Sequence, residues 1–359
     1  MSADSVAQQD DVEEARSWQS VLGSPNPRIY RARPLAVASK AYVHHNGSRA
    51  EPSDPSDLIR RRPLLLTRFH MATLSILMWH VVGLVCLFVY WIGCLRWLGF
   101  KPNKWMQWNA ALEGWWGDRI IWLAEFWFNA HFDVEGAELL APGPVVVFSR
   151  YSSVIDTMMP LRFIEHYNGM IARIVKKRAL LWDPCIDSVS RRMPRTFVRR
   201  GSGDPERERE MIRALTAGMT EREGLWMFPE GTRFTPSKRR HILTKLRQQH
   251  PQAAKRAAQL RYTLPPRPAG AIAVLDCCAE MDVVFCAHTG LEGANRLENF
   301  INGSLYKRTI KVKFWRIAAA DIPTDTVGRI EWIHRQWLKV DKWVEENQDP
   351  DLTALLARE

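Results

Sequence analysis

The chain has 359 residues, enough for one large or two small domains with a real hydrophobic core, and we expect one main folded unit. Fifty Lys and Arg stand against 39 Asp and Glu, and this basic balance indicates anionic partners: lipid head groups, phosphate-bearing cofactors or nucleic acid. The six cysteines show no C-x-x-C pair and no zinc-type histidine pattern, which predicts reduced structural thiols. No basic stretch followed by an apolar one opens the chain, so no secretory signal peptide is expected.

The first hundred residues divide into a polar arm and an apolar segment. Residues 1–58 lack sustained apolar periodicity, which predicts a disordered arm. Residues 59–100 are predicted to hold a membrane-anchoring helix, because the 23 residues from 73 to 95 contain no Asp, Glu, Lys or Arg. Such a helix is long enough to cross a hydrocarbon core of roughly 30 Å. Basic residues flank both ends of this stretch, so the topology stays open.

Residues 101–131 form a Trp-rich segment. Many of the sixteen Trp residues lie between Trp79 and Trp127, where an amphipathic indole suits a bilayer interface. Acidic and basic residues interrupt this segment, which favours a helix lying in the interface, or a re-entrant partner of the first helix, over a second span. Packing on the folded domain is the alternative.

Between positions 132 and 320, short apolar runs alternate with helical patterns, which predicts an α/β domain with a mixed, largely parallel central sheet flanked by helices. The run at 144–148 is apolar on both faces and is expected to be a central strand. The predicted strands cover residues 131–134, 144–148, 169–175, 224–228, 283–288 and 310–314. The predicted helices cover residues 157–166 and 204–218. Two short basic helices on either side of Pro251 and a C-terminal amphipathic helix within 321–359 are also predicted.

The strongest local signal is the sequence Phe-Pro-Glu-Gly-Thr-Arg at positions 228–233, directly after a predicted strand. Gly231 allows the backbone to approach a ligand closely, and Arg233 offers a forked donor suited to phosphate. Glu230 is placed to orient that arginine or a substrate hydroxyl. An ordinary turn after a strand is the alternative interpretation.

This sequence resembles the third motif of the glycerol-phosphate and lysophospholipid acyltransferase superfamily. The family's His-x-x-x-x-Asp motif, which follows a hydrophobic strand, corresponds to positions 151–156, where Ser153 and Asp156 match and Tyr151 replaces the histidine. The family's Gly-x-x-Phe-Ile/Val-x-Arg motif corresponds to positions 194–200, with Pro194 in place of the glycine. The resemblance covers roughly residues 130–300, preceded by a hydrophobic segment where many members have an anchor.

The resemblance implies acyl transfer from a thioester donor, acyl-CoA or acyl carrier protein, to the hydroxyl of a lysophospholipid or glycerol-phosphate-type acceptor, as in phospholipid biosynthesis. The family's histidine removes the hydroxyl proton, and its aspartate orients the imidazole. No metal and no tightly held cofactor are implied. The implied catalytic positions are Asp156 and Tyr151, and the implied substrate-binding residues are Ser153, Arg200, Glu230, Gly231, Thr232 and Arg233, the arginines holding phosphate.

Tyr151 does not replace a histidine base in a simple way, because a phenol with a pKa of about 10 is ionised in only roughly one molecule in 10³ at neutral pH. Three interpretations follow: the fold has kept its shape and lost the reaction, the enzyme works despite the substitution, or another residue is the base. We rank loss or severe reduction of turnover first, with lipid binding retained. His131, His166 and His288 lie near predicted element ends and are interpreted as surface or packing histidines.

Three functions of different class are compared. The first is a membrane-bound acyltransferase that uses acyl-CoA or acyl carrier protein, with its domain on the cytoplasmic side. The second is a catalytically silent lipid-binding member of the same fold. The third, a nucleic-acid binder, is disfavoured because the Trp residues lie mostly outside the basic runs. One such run, from position 231 to 275, has ten Lys and Arg and no Asp or Glu, and it is either a solvated face or a surface for anionic lipid or donor phosphates.

Overall fold

The computed structural model describes residues 62–92, 102–177, 193, 195–198, 205–295 and 304–349. The arm predicted at 1–58 lies outside these ranges. The described helices are α1 (Arg62–Ile92), α2 (Pro102–Phe128), α3 (Pro205–Thr216), α4 (Pro236–Gln249), α5 (Pro251–Ala258), α6 (Pro268–Cys277) and α7 (Thr326–Asn347). The described strands are β1 (His131–Glu135), β2 (Val145–Ser149), β3 (Ile171–Lys177), β4 (Arg195–Val198), β5 (Glu223–Met227), β6 (Asp282–Thr289) and β7 (Thr309–Ile317).

The strands form one sheet in the order β1-β7-β6-β2-β5-β3-β4. Every neighbouring pair is parallel except β6 with β7, which confirms the predicted mixed, largely parallel α/β fold. β2 is central and buried on both faces: Val145 and Val147 point to one core, and Val146 and Phe148 point to the other. This two-sided burial explains why the segment is apolar at every position before Ser149.

The two cores are covered by different helices. Residues of α2 and of the segment that follows β2 pack on one face of the sheet. Helices α3, α6 and α7 cover the other face, where the stripe predicted on the last helix is buried, Trp337 and Val340 completely. The break predicted at Pro251 also occurs, because α4 ends at Gln249 and α5 begins at Pro251.

Two parts of the fold differ in detail from the prediction. The segment predicted as a helix at 157–166 is helical throughout, but its turns change type: a 3₁₀ turn, Ile155–Met158, continues through residues 159 and 160 into a π-helical segment, Leu161–Tyr167. Pro160 keeps a helical φ of −60° and directly precedes the π-helical segment, where a helix tolerates a residue without an amide proton. Strand β4, which pairs with β3 at the sheet edge, was not predicted, because its four residues are too few to show an apolar or alternating pattern.

Helices α1 and α2 lie side by side in opposite directions. Trp79 Nε1 donates to the Trp116 carbonyl at 3.2 Å, and Trp127 Nε1 donates to Ser75 Oγ at 3.0 Å. Along α1, the 24 residues Pro63–Cys86 have a mean hydropathy of 1.7, and only 11% of the most apolar stretch is buried. Among the side chains of α1 that the structure describes, the exposed large apolar ones are Leu64, Leu66, Met71, Leu74, Leu77, Met78, Val81, Val82, Leu84 and Val85.

Helix α2 also packs on the α/β domain. Gly117 contacts Leu161 so closely that an added Cβ would lie 2.7 Å from that side chain. Arg162 of the π-helical segment donates to Glu125 of α2 at 3.0 Å. The alternative in which the Trp-rich segment packs on the folded domain is therefore present in the structure. Trp108, Trp122 and Phe126 of the same helix remain exposed.

Candidate active site

Three loops meet at the carboxyl ends of the central parallel strands. β2 lies between β5 and β6, and all three run in the same direction. Residues 150–154 follow β2, residues 228–235 follow β5, and the loop that begins at Gly290 follows β6. In open α/β sheets, ligands usually bind in the crevice at this end of the strands. The fold therefore brings the first and third sequence motifs together where a ligand site is expected.

Asp156 is fully buried on the short 3₁₀ helix after β2. Its Oδ2 accepts hydrogen bonds from the amides of Ser152 and Ser153, the second at 2.8 Å, and its Oδ1 accepts from Ser153 Oγ at 2.7 Å. Ser153 Oγ also accepts from the Ile155 amide at 3.1 Å. The loop itself thus fixes the carboxylate of Asp156. The Ser153 hydroxyl is used within the loop, and its contact with substrate stays a prediction.

His288, on β6, lies beside Asp156. Its Nε2 is 3.5 Å from Asp156 Oδ2 and 3.0 Å from the Arg150 carbonyl oxygen. The side chain is fully buried, so a substrate hydroxyl does not reach it in this structure. The interpretation of His288 as a packing histidine is compatible with this position, but the residue it packs on is the aspartate of the first motif. His131 is exposed, and His166 lies 3.5 Å from Asp118, on α2.

Tyr151 joins the first motif to the third. Its ring stacks on Phe228, with centroids 4.5 Å apart and an angle of 27° between the planes. Its amide donates to Glu230 Oε1 at 3.2 Å, and its carbonyl accepts from the Phe234 amide at 2.7 Å. The residue in the histidine position is therefore held by both its backbone and its ring.

Glu230 is buried between two loops and accepts a hydrogen bond from a backbone amide of each loop. Oε1 accepts from Tyr151, and Oε2 accepts from the Leu264 amide at 3.2 Å. Burial raises the pKa of Glu230 to about 8, against the opposing effects of the Arg150 charge and of these two amide bonds. The group is therefore mainly protonated at pH 7 and is not a ready proton acceptor.

The raised pKa predicts an unusual pH dependence of stability. Folded Glu230 keeps its proton up to about pH 8, whereas the ordinary pKa is 4.5. The stabilisation is complete below pH 4.5 and is lost as pH rises toward 8, with a slope of at most about 1.4 kcal/mol per pH unit. Glu230→Gln is expected to remove this slope. Denaturant unfolding of both chains between pH 4.5 and 8.5 measures it, and parallel pH profiles would contradict the assignment.

Arg150, between β2 and Tyr151, is an almost fully buried cation that sequence reasoning missed. Its Nη1 pairs with Glu292 Oε1 and donates to the His288 carbonyl at 2.7 Å, and its Nη2 donates to the Tyr262 carbonyl at 2.8 Å. Burial is the largest effect and acts to raise the pKa of Glu292, but the Arg150 charge, the hydrogen bond from Arg150 and smaller effects of a backbone amide and of His288 together lower that pKa. One guanidinium thus connects three separate parts of the chain behind the site.

The turn at 231–233 carries the remaining predicted residues. Gly231 adopts a φ of +67°, and an added Cβ would lie 2.8 Å from Arg267 Nε. Thr232 Oγ1 accepts from Lys238 Nζ at 3.2 Å, and the same ammonium donates to the Arg233 carbonyl at 3.1 Å. Arg233 itself is half-buried on the turn. The structure therefore gathers three basic side chains around this turn.

Arg200, the predicted arginine of the second motif, lies outside the described residues. The preceding residues of that motif form β4 at the sheet edge. Among the residues that the structure describes, no group of three or more His, Cys, Asp or Glu forms a candidate metal site. The phosphate-binding role of Arg200 and the absence of a metal remain predictions.

Comparison with known proteins finds an acyltransferase family model that matches part of the chain. Residues 131–270 match the family model Acyltransferase, and these residues include the motifs that resemble the glycerol-phosphate and lysophospholipid acyltransferase superfamily. The chain is similar to the crystal structure of the 1-acyl-sn-glycerophosphate (LPA) acyltransferase PlsC from Thermotoga maritima, with 16% identity, 79% of this chain and 97% of that chain covered, and a TM-score of 0.44. A search of curated protein sequences finds no match.

Proposed function

We propose that this chain is a membrane-bound acyltransferase that transfers a fatty acyl group from acyl-CoA or acyl carrier protein to a lysophospholipid or glycerol-phosphate-type acceptor, at a rate limited by Tyr151. The observation that carries the proposal is the meeting of Asp156 and the 228–233 turn around Tyr151, at the carboxyl ends of β2 and β5. The acceptor hydroxyl attacks the thioester carbonyl, a new ester bond forms, and the thiol leaves. The hydroxyl proton must go to a base, and this site lacks the usual one.

None of the neighbouring groups replaces the base efficiently. A phenol has a reference pKa of about 10, so it is a poor proton acceptor at neutral pH. Glu230 keeps its proton because burial raises its pKa to about 8. His288 is fully buried in the core and is not accessible to a substrate hydroxyl. The site accordingly has the aspartate and the turn proposed to bind phosphate, but it has no efficient proton acceptor.

We further propose that the acceptor phosphate binds beside the 231–233 turn. Arg233 and Arg267 supply forked donors there, and Lys238 places an ammonium within bonding distance of Thr232. The Arg267 amide donates to the Pro229 carbonyl at 2.8 Å, which ties this second arginine to the motif. Gly231 has no Cβ, and this leaves the space that the Arg267 side chain occupies.

A glycine comparison tests this phosphate assignment. Gly231→Ala and Gly169→Ala each place an alanine at a left-handed φ, +67° and +61°, and each is expected to lower the free energy of unfolding by about 1–2 kcal/mol. Only at Gly231 does the new Cβ meet another side chain, that of Arg267; nothing lies within 4 Å at Gly169. In a catalytically active chain, only Gly231→Ala is therefore expected to raise the KM for the acceptor. Equal KM values for the two variants would contradict the assignment.

Helix α1 supports the membrane part of the proposal. Its 24-residue apolar stretch is long enough to span a bilayer, and its apolar side chains face outward. Trp108, Trp122 and Phe126 of α2 add exposed aromatic surface suited to the interface. We place the domain on the cytoplasmic side, because that compartment holds acyl-CoA and acyl carrier protein.

A catalytically silent lipid-binding protein is the second candidate. The observation that favours it is the stable position of Tyr151, stacked on Phe228 and bonded through its backbone to Glu230 and Phe234. Asp156 likewise has its donors without an imidazole at position 151. Tyr151 and Asp156 are therefore both held in place without a histidine at position 151.

One set of assays distinguishes the two candidates. Membranes and soluble fractions from cells that express the full chain, or its Tyr151→His variant, are supplied with labelled acyl-CoA or acyl carrier protein and a panel of lysophospholipids. The proposal predicts labelled diacyl product in the membrane fraction, strongly increased by Tyr151→His. Lysolipid binding without product in either chain would favour the silent protein, and activity in the soluble fraction would contradict the anchor.

A further inference from the structure

The C-terminal helix α7 lies outside the segment that matches the acyltransferase family, yet it contacts a loop beside the site. Asp341 of this helix is buried. Its carboxylate accepts hydrogen bonds from the Arg261 amide at 2.9 Å, the Tyr262 amide at 2.8 Å and Thr263 Oγ1 at 2.8 Å. A single side chain of α7 thus fixes three consecutive residues of that loop.

A second residue of α7 holds the end of the same loop. The indole Nε1 of Trp337, which is fully buried, donates to the Leu264 carbonyl at 3.0 Å. Asp341 and Trp337 are one helical turn apart and therefore present these groups on one face of α7. The loop 261–264 is consequently anchored to the helix at both ends.

The opposite side of the loop 261–264 bonds to the site. The Leu264 amide donates to Glu230 Oε2, and the Tyr262 carbonyl accepts from Arg150 Nη2. The other carboxylate oxygen of Glu230 accepts a hydrogen bond from the amide of Tyr151. The loop backbone therefore links the hydrogen bonds of Asp341 at residues 261–263 to those of Glu230 with Leu264 and with the amide of position 151.

We propose that Asp341 is a positioning residue for acyl transfer: by fixing the loop 261–264, it holds Glu230 and the backbone of position 151 in the geometry that the reaction requires. The inference rests on the proposed function. Its physical basis is that bonds to a carboxylate are stronger than neutral ones, and that a small displacement of reacting groups lowers the rate greatly. Asp341 acts through the loop and does not touch the substrate.

The test compares two aspartates of the same helix. Asp341→Ala and Asp341→Asn are made in the Tyr151→His chain, with Asp325→Ala as the control. Asp325 caps the start of α7 by accepting from the Gly328 amide at 2.7 Å, so its loss weakens the helix without touching the loop. Turnover is measured as kcat and KM, and hydrogen exchange is measured at the amides of Leu264 and of the residue at position 151, which Asp341 does not contact directly.

Asp341→Ala is expected to lower kcat roughly 10- to 100-fold with little change in KM, because the groups at the reacting centre move. The two amides are expected to exchange at least about tenfold faster than in the control. Asp341→Asn, which keeps one acceptor oxygen, is expected to recover part of both effects. A kcat and exchange rates equal to those of Asp325→Ala would overturn the inference.

The exchange measurement separates this inference from the proposed function. If the Tyr151→His chain has no turnover, the proposed function fails, and the exchange rates still decide whether Asp341 holds the site. Faster exchange at Leu264 and at position 151 would then support the positioning path, and unchanged exchange would overturn it.

Discussion

Tyr151→His is expected to raise the acyl-transfer rate roughly 10²- to 10⁴-fold, the usual contribution of a positioned general base. An imidazole at this position has a pKa near 6.5 and accepts a proton at neutral pH, unlike a phenol. Asp156 is already buried and fixed, and its Oδ1 accepts only the Ser153 hydroxyl among the bonds described, so it has capacity for an imidazole N–H. The substitution therefore restores one missing group to an existing site.

Two further variants serve as controls for this result. Tyr151→Phe removes the phenol and keeps the stack on Phe228, and it is expected to leave the rate of the original chain unchanged. Asp156→Asn in the Tyr151→His chain is expected to remove most of the gain, because the amide no longer favours the charged imidazole. A large loss of rate in Tyr151→Phe would show that the phenol takes part in the reaction.

Arg150→Leu is expected to lower the free energy of unfolding by about 3–5 kcal/mol, the usual cost of removing one partner of a buried ion pair. Glu292 is buried and would lose its counter-ion, and the carbonyls of His288 and Tyr262 would lose their donor. The charge that holds the pKa of Glu292 below its usual range against burial would also be gone. Denaturant unfolding in detergent, followed by Trp fluorescence, measures the change.

The double variant Arg150→Leu with Glu292→Leu is the matched control. It removes both charges, so it is expected to be more stable than Arg150→Leu alone, which leaves an unpaired carboxylate in the core. If the loss of stability in the double variant equalled the sum of the losses in Arg150→Leu and Glu292→Leu, the two residues would not be coupled. That result would contradict the ion pair as the reason for the effect.

The sheet was predictable from sequence because its central strands are apolar on both faces. Val145–Ser149 carries this pattern most clearly, and it occupies the centre of the sheet. Strand β4 has no such pattern and depends on its pairing with β3, which no local signal reveals. The helix predicted at 157–166 is present, but no local pattern indicates its change from a 3₁₀ turn to a π-helical segment.

The motifs of the site were predictable, but their supporting contacts were not. Tyr151, Asp156 and Glu230 lie within short motifs that local sequence marks as strand ends. His288 and Asp341 act through long-range contacts, which depend on how β6 and α7 pack against the sheet. Arg150 offered one signal, a charged residue directly after a fully apolar strand, which is tolerated only with a buried partner.

The most direct test of the central claim is the initial rate of labelled acyl transfer to a lysophospholipid by three purified chains: the original, Tyr151→His, and Tyr151→His with Asp156→Asn. The account predicts a low rate, a rate roughly 10²- to 10⁴-fold higher, and a rate returned close to the first. Equal rates in the original and Tyr151→His chains would contradict it, because the missing base would then not limit the reaction.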